Sequence, residues 1–393
     1  MKPELTRAYR SEYKKELFES VIPFWENHSI DKEFGGYFTC LDQTGKVYDT
    51  DKFMWLQGRQ IWTFSMLYNR FEKNEKWLQI AENGIRFLKK HGRDEQGNFY
   101  FSLTREGKPL THAFNIFSDC FAALGFYEYA KASGDQESLA IALTTYQKYM
   151  DRLDNPKGKF EKSTGVRPLE SFGLPMMTAY LTYEMEDLLS KEAVVKIYEN
   201  CVQQILTKHY NPQTGLIHEY NGTEGRFLDT FEGRHLNPGH GIEAMWFLMD
   251  IAKRLNRPEL ITQTTDLCLH ILDHSWDKEY GGIYYFMDSK GAPPQQLEWD
   301  QKLWWVHLEA LVALSRAYLL TGRNDVKEWY EKVHHYTWAR FPDREKGEWF
   351  GYLNREGNKL LTLKGGKWKG CFHLPRALFE CWKNFKAIEN LNR

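Results

Sequence analysis

A chain of 393 residues is long enough for one large domain or two ordinary ones. Lys plus Arg (52) against Asp plus Glu (53) leaves a formal net charge of −1, so there is no overall field to hold a polyanion, and nucleic acid is not expected as a partner. The opening MKPELTRAYRSEYKKELF has no apolar stretch of signal-peptide length, and no later run approaches the roughly 18 apolar residues of a membrane span, which predicts a soluble, cytoplasmic protein with no membrane partner.

In chain order, apolar residues at helical spacing predict helices beginning near residues 3, 54, 76, 110, 135, 171, 190, 238, 257, 301, 323 and 371, each to about ±4 residues. Between pairs of them a motif recurs: FGGYFTCLDQTGK, GNFYFSLTREGK, GKFEKSTG, GLIHEYNGTEG, GGIYYFMDSKG and GEWFGYLNREGN. Each holds a glycine, then aromatic or β-branched residues, then a polar turn, which is the pattern of a short hairpin. Gly36, Gly97, Gly158, Gly215, Gly282 and Gly347 anchor these segments at a period of roughly 60 residues, the third being the weakest match. Twelve helices in six pairs, with the first helix free to pair with the last, predict an all-α (α/α)6 toroid with short β-hairpins in its connections. No Pro- or Ser-rich linker interrupts the chain, so residues 1–393 are expected to form a single domain.

The helices starting near 54, 110, 171, 238, 301 and 371 are apolar nearly all round, as an inner ring must be, and their partners are charged and amphipathic. Inner helices of such a ring run the same way, so their starts gather at one mouth. Arg59, Asn237, His240, Glu243, Lys302, Trp305, Glu309, His373 and Arg376 all lie in those first turns or just before them. Charged groups on apolar helices need a reason, because burying one unpaired costs several kcal/mol. One reason is a structural ion-pair network; the other is a catalytic pocket, favoured by His240 and His373 meeting at one mouth. His112, His235 and His307 also fall near the mouth, whereas His28, His91, His209, His334 and His335 are expected in solvent. With no HExxH, no paired cysteines and no P-loop, neither a metal site nor a nucleotide motif is encoded. Six scattered cysteines without a CxxC pair suggest reduced thiols. Aromatic content of 16% suits the faces of sugar rings, or simply a bulky core.

The segments WLQGRQIW, SLTREGKPL, RHLNPGHGIEAMWFL, HSWDKEYGGIYYF, QLEWDQKLWWVHLEAL, GEWFGYLNREG and KGGKWKGCFHLPR follow, in order and along nearly the whole chain, the pattern of a known family. By them the chain resembles the N-acylglucosamine 2-epimerase (renin-binding protein) family. The resemblance implies an (α/α)6 barrel, commonly a homodimer, that interconverts N-acetylglucosamine and N-acetylmannosamine, with essential roles for Arg59, His240, Glu309 and His373. It also implies that ATP activates allosterically without being consumed, with nucleotide contact at the loop KGKFEKSTGVRPL, residues 157–169, and no consumed cofactor.

Such chemistry explains the residue types. The C2 hydrogen of a sugar becomes acidic only when C1 is an aldehyde, so the ring opens first; C2 then loses a proton on one face and regains one on the other. Two groups with pKa near 7 are wanted, and His240 and His373 supply them. Arg59 is expected to stabilise the enolate, Glu243 and Glu309 to orient the histidines, and Trp305, Lys302, Asn237 and Arg376 to bind the sugar. Three alternatives stand beside this: an epimerase or isomerase of unsubstituted aldoses such as mannose or cellobiose, an inverting glycoside hydrolase using Glu243 and Glu309, and a non-catalytic binding module.

Overall fold

The computed structural model describes residues 1–391. In chain order, α1 (Pro3–Lys15) runs through a π-helical stretch, Glu16–Val21, into α2 (Ile22–His28), followed by α3 (Met54–Arg70), α4 (Glu75–His91), α5 (Phe117–Ser133) and α6 (Gln136–Asp151). Then come α7 (Gly173–Met185), α8 (Lys191–Gln203), the single turn α9 (Phe231–Arg234), α10 (Pro238–Arg254), α11 (Pro258–Ser275), α12 (Trp304–Thr321), α13 (Asn324–Arg340) and α14 (His373–Leu391). Helices α3, α5, α7, α10, α12 and α14 form the inner ring, each packed on its neighbour, and α4, α6, α8, α11, α13 and α1 cover them from outside, α1 lying on α14. This is the (α/α)6 barrel. No helix among the described residues is long and apolar enough to cross a membrane.

Sequence explains which helix goes where. Residues 304–317 of α12 are buried without interruption, so the helix has no solvent face. The outer α4 instead alternates, is capped by the Asn74 side chain on the Lys76 N–H, and carries Lys89, Lys90 and His91 at its negative C-terminal end. Inner helices α3 and α5 meet backbone to backbone: a Cβ on Gly58 would lie 2.4 Å from the Phe121 carbonyl oxygen, and one on Gly125 2.7 Å from that of Gly58. Between α14 and α3 the ring closes through Thr63 Oγ1, which donates to the Cys371 carbonyl at 2.8 Å, and through Trp62 against Phe372.

All six anchor glycines have positive φ, between 54° and 79°, which explains why glycine recurs there. Five of them close a short antiparallel hairpin. The third does not: Gly158–Phe160 is a 3-10 turn, and the next strand, Glu170–Ser171, pairs instead with Tyr220–Asn221 of the following unit. The helix expected near residue 110 starts only at Phe117, because Pro109–Thr111 continue the preceding hairpin as its third strand and Asn115 Oδ1 accepts the Phe117 N–H.

A second repeat ties hairpins to inner helices. Tyr37 N–H donates to Gln57 Oε1 (2.8 Å), Phe99 N–H to Asp119 Oδ1 (2.9 Å) and Ile283 N–H to His307 Nε2 (3.0 Å), three acceptor types in one structural slot. Buried ion pairs repeat as well: Lys52 and Arg105 on Asp31, Lys302 and Arg355 on Asp277, Lys364 on Asp343. Towards the far ends of the inner helices, Arg70 joins Glu128 and Glu184, while Arg316 joins Asp250 and Glu380. A structural ionic network therefore exists at that end, away from the mouth.

Candidate active site

Helix starts bring Arg59 (α3), His240 and Glu243 (α10), Trp305 and Glu309 (α12), and His373 and Arg376 (α14) into one cluster. Trp305 packs against both histidines, its ring centroid 5.4 Å from that of His240 and 5.6 Å from that of His373. Gly239 makes room for it, since a Cβ there would stand 2.5 Å from Trp305 Cη2. Arg59 is half-buried, with its guanidinium 4.4, 4.0 and 4.6 Å from the ring centroids of Trp55, Phe121 and Phe372, and Nη1 3.4 Å from His373 Nε2. Burial lowers its pKa to about 9, which still leaves a cation at neutral pH, and its Nε has no hydrogen-bond partner among the described residues.

Each histidine is held through Nδ1 by a carboxylate, which leaves Nε2 for chemistry. His373 Nδ1 is 2.8 Å from Glu309 Oε1; Glu309 is fully buried and also accepts from Arg376 Nη2 at 2.7 Å and from Trp246 Nε1 at 2.9 Å. His240 Nδ1 is 3.0 Å from Glu219 Oε2, with Asn237 Oδ1 accepting the His240 backbone N–H at 3.2 Å as the N-cap of α10. The two imidazoles differ in charge environment. Burial, with the Arg59 charge behind it, holds His373 well below the ordinary imidazole pKa. Burial also pulls His240 down, but the charge and hydrogen bond of Glu219 overcome it, and its pKa is raised. The two imidazoles beside Trp305 are thus shifted in opposite directions, His373 towards the neutral form that a base needs and His240 towards the protonated form that an acid needs.

Several expected contacts are made elsewhere. Lys302, expected to bind sugar, is fully buried, with Nζ 3.1 Å from Asp277 Oδ2 and 3.7 Å from the Tyr284 ring centroid; burial lowers its pKa to about 8. Its ammonium serves the hairpin, as Lys52 does in the first unit, sharing the buried Asp277 carboxylate with Arg355. Arg376, also expected on the sugar, is 2% exposed, and its Nη2 bridges Glu243 and Glu309. It positions the carboxylate of His373 instead. Asn237 has its side-chain oxygen committed to the helix cap, and its amide nitrogen lies 3.0 Å from His240 Nδ1. His307 is a structural acceptor whose pKa burial pushes down to about 3. His209, expected in solvent, is 2% exposed, its Nδ1 3.0 Å from the His218 carbonyl oxygen.

Among the described residues, Glu243, Glu309 and His373 form a group of metal-ligand type, with ligand atoms within 4.8 Å of one another. The guanidinium of Arg376 already bridges its two carboxylates, so a cation would have to displace Arg376. The same proximity disfavours the hydrolase alternative, because an inverting pair stands roughly 6.5–9.5 Å apart and needs one free acid.

Glu219 is the functional residue that the sequence analysis does not single out. It sits between Ile217 and Tyr220 on the fourth hairpin, far in sequence from its partner, and is 8% exposed. It lies in the bend joining the strands Leu216–Ile217 and Tyr220–Asn221, and a buried carboxylate among Leu, Ile, His and Tyr is the signal that marks it.

The barrel and its paired, carboxylate-held histidines define a class: an (α/α)6 enzyme that moves protons on a sugar-sized substrate. The comparisons agree. A family model described as N-acylglucosamine 2-epimerase (GlcNAc 2-epimerase) matches residues 36–377. The N-acylglucosamine 2-epimerase of Mus musculus is 39% identical over 98% of this chain and 94% of its own length, and that of Homo sapiens is 36% identical over 98% and 92%. In fold, the chain is similar to the cellobiose 2-epimerase of Bacillus thermoamylovorans B4167, with a TM-score of 0.83 over 96% of this chain and 99% of that one at 22% identity. The chain belongs to the N-acylglucosamine 2-epimerase family.

Proposed function

We propose that this protein catalyses the reversible epimerisation of N-acetyl-D-glucosamine and N-acetyl-D-mannosamine at C2. The observation that carries the reading is the pair of histidines, each fixed at Nδ1 by a carboxylate and packed beside Trp305, with Arg59 next to one of them.

Ring opening moves the O1 proton to O5 and leaves an aldehyde at C1. Neutral His373 then takes the C2 proton at Nε2, the C–H electrons form the C1–C2 double bond, and the carbonyl electrons go to O1. Arg59 stabilises that oxyanion, a contribution of several kcal/mol in a site sheltered from water. Protonated His240 delivers its Nε2 proton to the opposite face of C2, and O1 regains its carbonyl. From the other epimer the histidines exchange roles.

A cavity of about 560 Å³ lies away from these residues, lined by Lys157, Lys159, His112 and Phe160, by Arg152, which pairs with Asp119, and also by Asp94 and Glu95, with the His112 and Phe160 rings stacked at 5.4 Å. The two lysines beside stacked rings are the part of this lining that supports ATP as an unconsumed activator bound at the 157–169 loop. Six unpaired cysteines, all buried, support a cytoplasmic setting. The family resemblance supports a homodimer.

Incubating the purified protein with N-acetylmannosamine, N-acetylglucosamine, mannose, glucose and cellobiose, with and without ATP and EDTA, and following products by NMR tests the reading. Interconversion of the two N-acetyl sugars in EDTA is expected; faster turnover of mannose or cellobiose would overturn the substrate assignment.

A further inference from the structure

Selection of an N-acyl sugar requires a group that recognises the acyl arm. In the reading above, C2 lies over Trp305 between the two histidines, and the acyl carbonyl oxygen extends two bonds further from C2 than a hydroxyl oxygen would. A suitable partner is a neutral hydrogen-bond donor standing beyond Trp305, on the rim of the mouth, and not already committed within the protein.

Tyr285 meets each condition. It projects from the fifth hairpin, with its ring stacked on Phe286 at 3.7 Å and edge-on to Trp305 at 6.2 Å and 85°. The side chain is half-buried, and its hydroxyl has no hydrogen-bond partner among the described residues, yet it is not sealed into the core. Its edge-on contact with Trp305 sets it beside the site, and the charges of Tyr352, Glu298 and Glu219, the partner of His240, act on its hydroxyl. Burial and those three groups raise its pKa, so it remains a protonated donor. The adjacent Tyr284 differs: its hydroxyl accepts from Arg355 Nε at 3.1 Å and its ring covers Lys302.

We propose that the Tyr285 hydroxyl donates to the carbonyl oxygen of the N-acyl group and sets the preference for 2-acylamino over 2-hydroxy sugars. The inference rests on the epimerase reading, and its test is made separable from that reading by measuring binding without turnover.

Tyr285→Phe removes only the hydroxyl and keeps the ring stack. The probes are the alditol of N-acetylmannosamine and mannitol, open-chain compounds that cannot be epimerised, with dissociation constants read from tryptophan fluorescence. Tyr285→Phe is expected to weaken the N-acetyl alditol about tenfold, the size of one net hydrogen bond, while leaving mannitol within about twofold. For N-acetylmannosamine turnover, KM should rise by a similar factor with kcat nearly unchanged, the mark of binding shared by ground and transition states. Unchanged affinity for the N-acetyl alditol overturns the proposal. An equal loss for both alditols also overturns it, because that is what a merely structural tyrosine would give. Failure of the wild-type protein to turn over either N-acetyl sugar is a separate result that strikes at the epimerase reading.

Discussion

Arg376→Met tests whether Arg376 is the cation that makes the site possible. The guanidinium is 2% exposed, bridges Glu243 and Glu309, and lies 4.6–5.3 Å from the ring centroids of Phe372, Tyr180 and Trp246. Methionine keeps the apolar stem among those rings but removes the charge. Two buried carboxylates with oxygens no more than 4.8 Å apart then face each other. At an effective dielectric constant of about 20 their repulsion is about 3.5 kcal/mol, in line with the roughly 3–5 kcal/mol seen when one partner of a buried pair is removed. The folded variant relieves the repulsion by taking up a proton that the unfolded chain does not hold near neutrality, so its stability must fall as pH rises, by up to about 1.4 kcal/mol per pH unit. Urea unfolding followed by tryptophan fluorescence at pH 6 and pH 8 reads this directly. Arg376→Met should lose about 3–5 kcal/mol at pH 8, less at pH 6, and Arg376→Met with Glu243→Gln should recover part of the loss. A single variant as stable as wild type at both pH values would refute the reasoning.

His240→Asn and His373→Asn should each abolish net epimerisation in both directions, by at least about 10²–10⁴-fold, with C2 exchange in D2O surviving for a different epimer in each variant; NMR follows both. Near wild-type epimerisation by both would remove the histidines from the mechanism. Glu219→Gln takes away the charge that raises the His240 pKa, so in the direction using His240 as acid the alkaline limb of kcat/KM should move to lower pH; an unmoved limb means that Glu219 does not hold this proton. Lys302→Met should cost about 1.5–3 kcal/mol of stability by removing one charge-assisted hydrogen bond from Asp277, which keeps Arg355, while leaving KM near its wild-type value, whereas a raised KM with unchanged stability would return Lys302 to the substrate.

The barrel was legible because its signal repeats: six glycines at positive φ and twelve runs of helical period each constrain the same answer. The third hairpin failed because its segment is too polar to be held between its neighbours, and the start of α5 slipped because apolar spacing cannot distinguish a helix from an edge strand beginning at Pro109. At the site, burial cost identified which charges needed partners but not which partners they had. Lys302 and Arg376 were therefore drawn to the substrate when Asp277 and two glutamates already held them. A clue to Lys302 was present: Lys52 is followed by Arg105 53 residues later, and Lys302 by Arg355 at the same interval, a recurrence that marks scaffold rather than catalysis.

An epimerase that uses two histidines must begin each turnover with one protonated and the other not, and identical surroundings would leave both in the same state. Here the surroundings are unequal. Glu219 makes no Lys or Arg salt bridge among the described residues, so its negative charge acts on His240 undiminished. Glu309 shares its charge with Arg376 and gives its second oxygen to Trp246, and Arg59 stands at the free nitrogen of His373. The same carboxylate–imidazole contact therefore leaves the two histidines shifted in opposite directions. What distinguishes them is first the deeper burial of His373 and then the Arg59 charge beside it, with Arg376, the cation on Glu309, adding to the same effect.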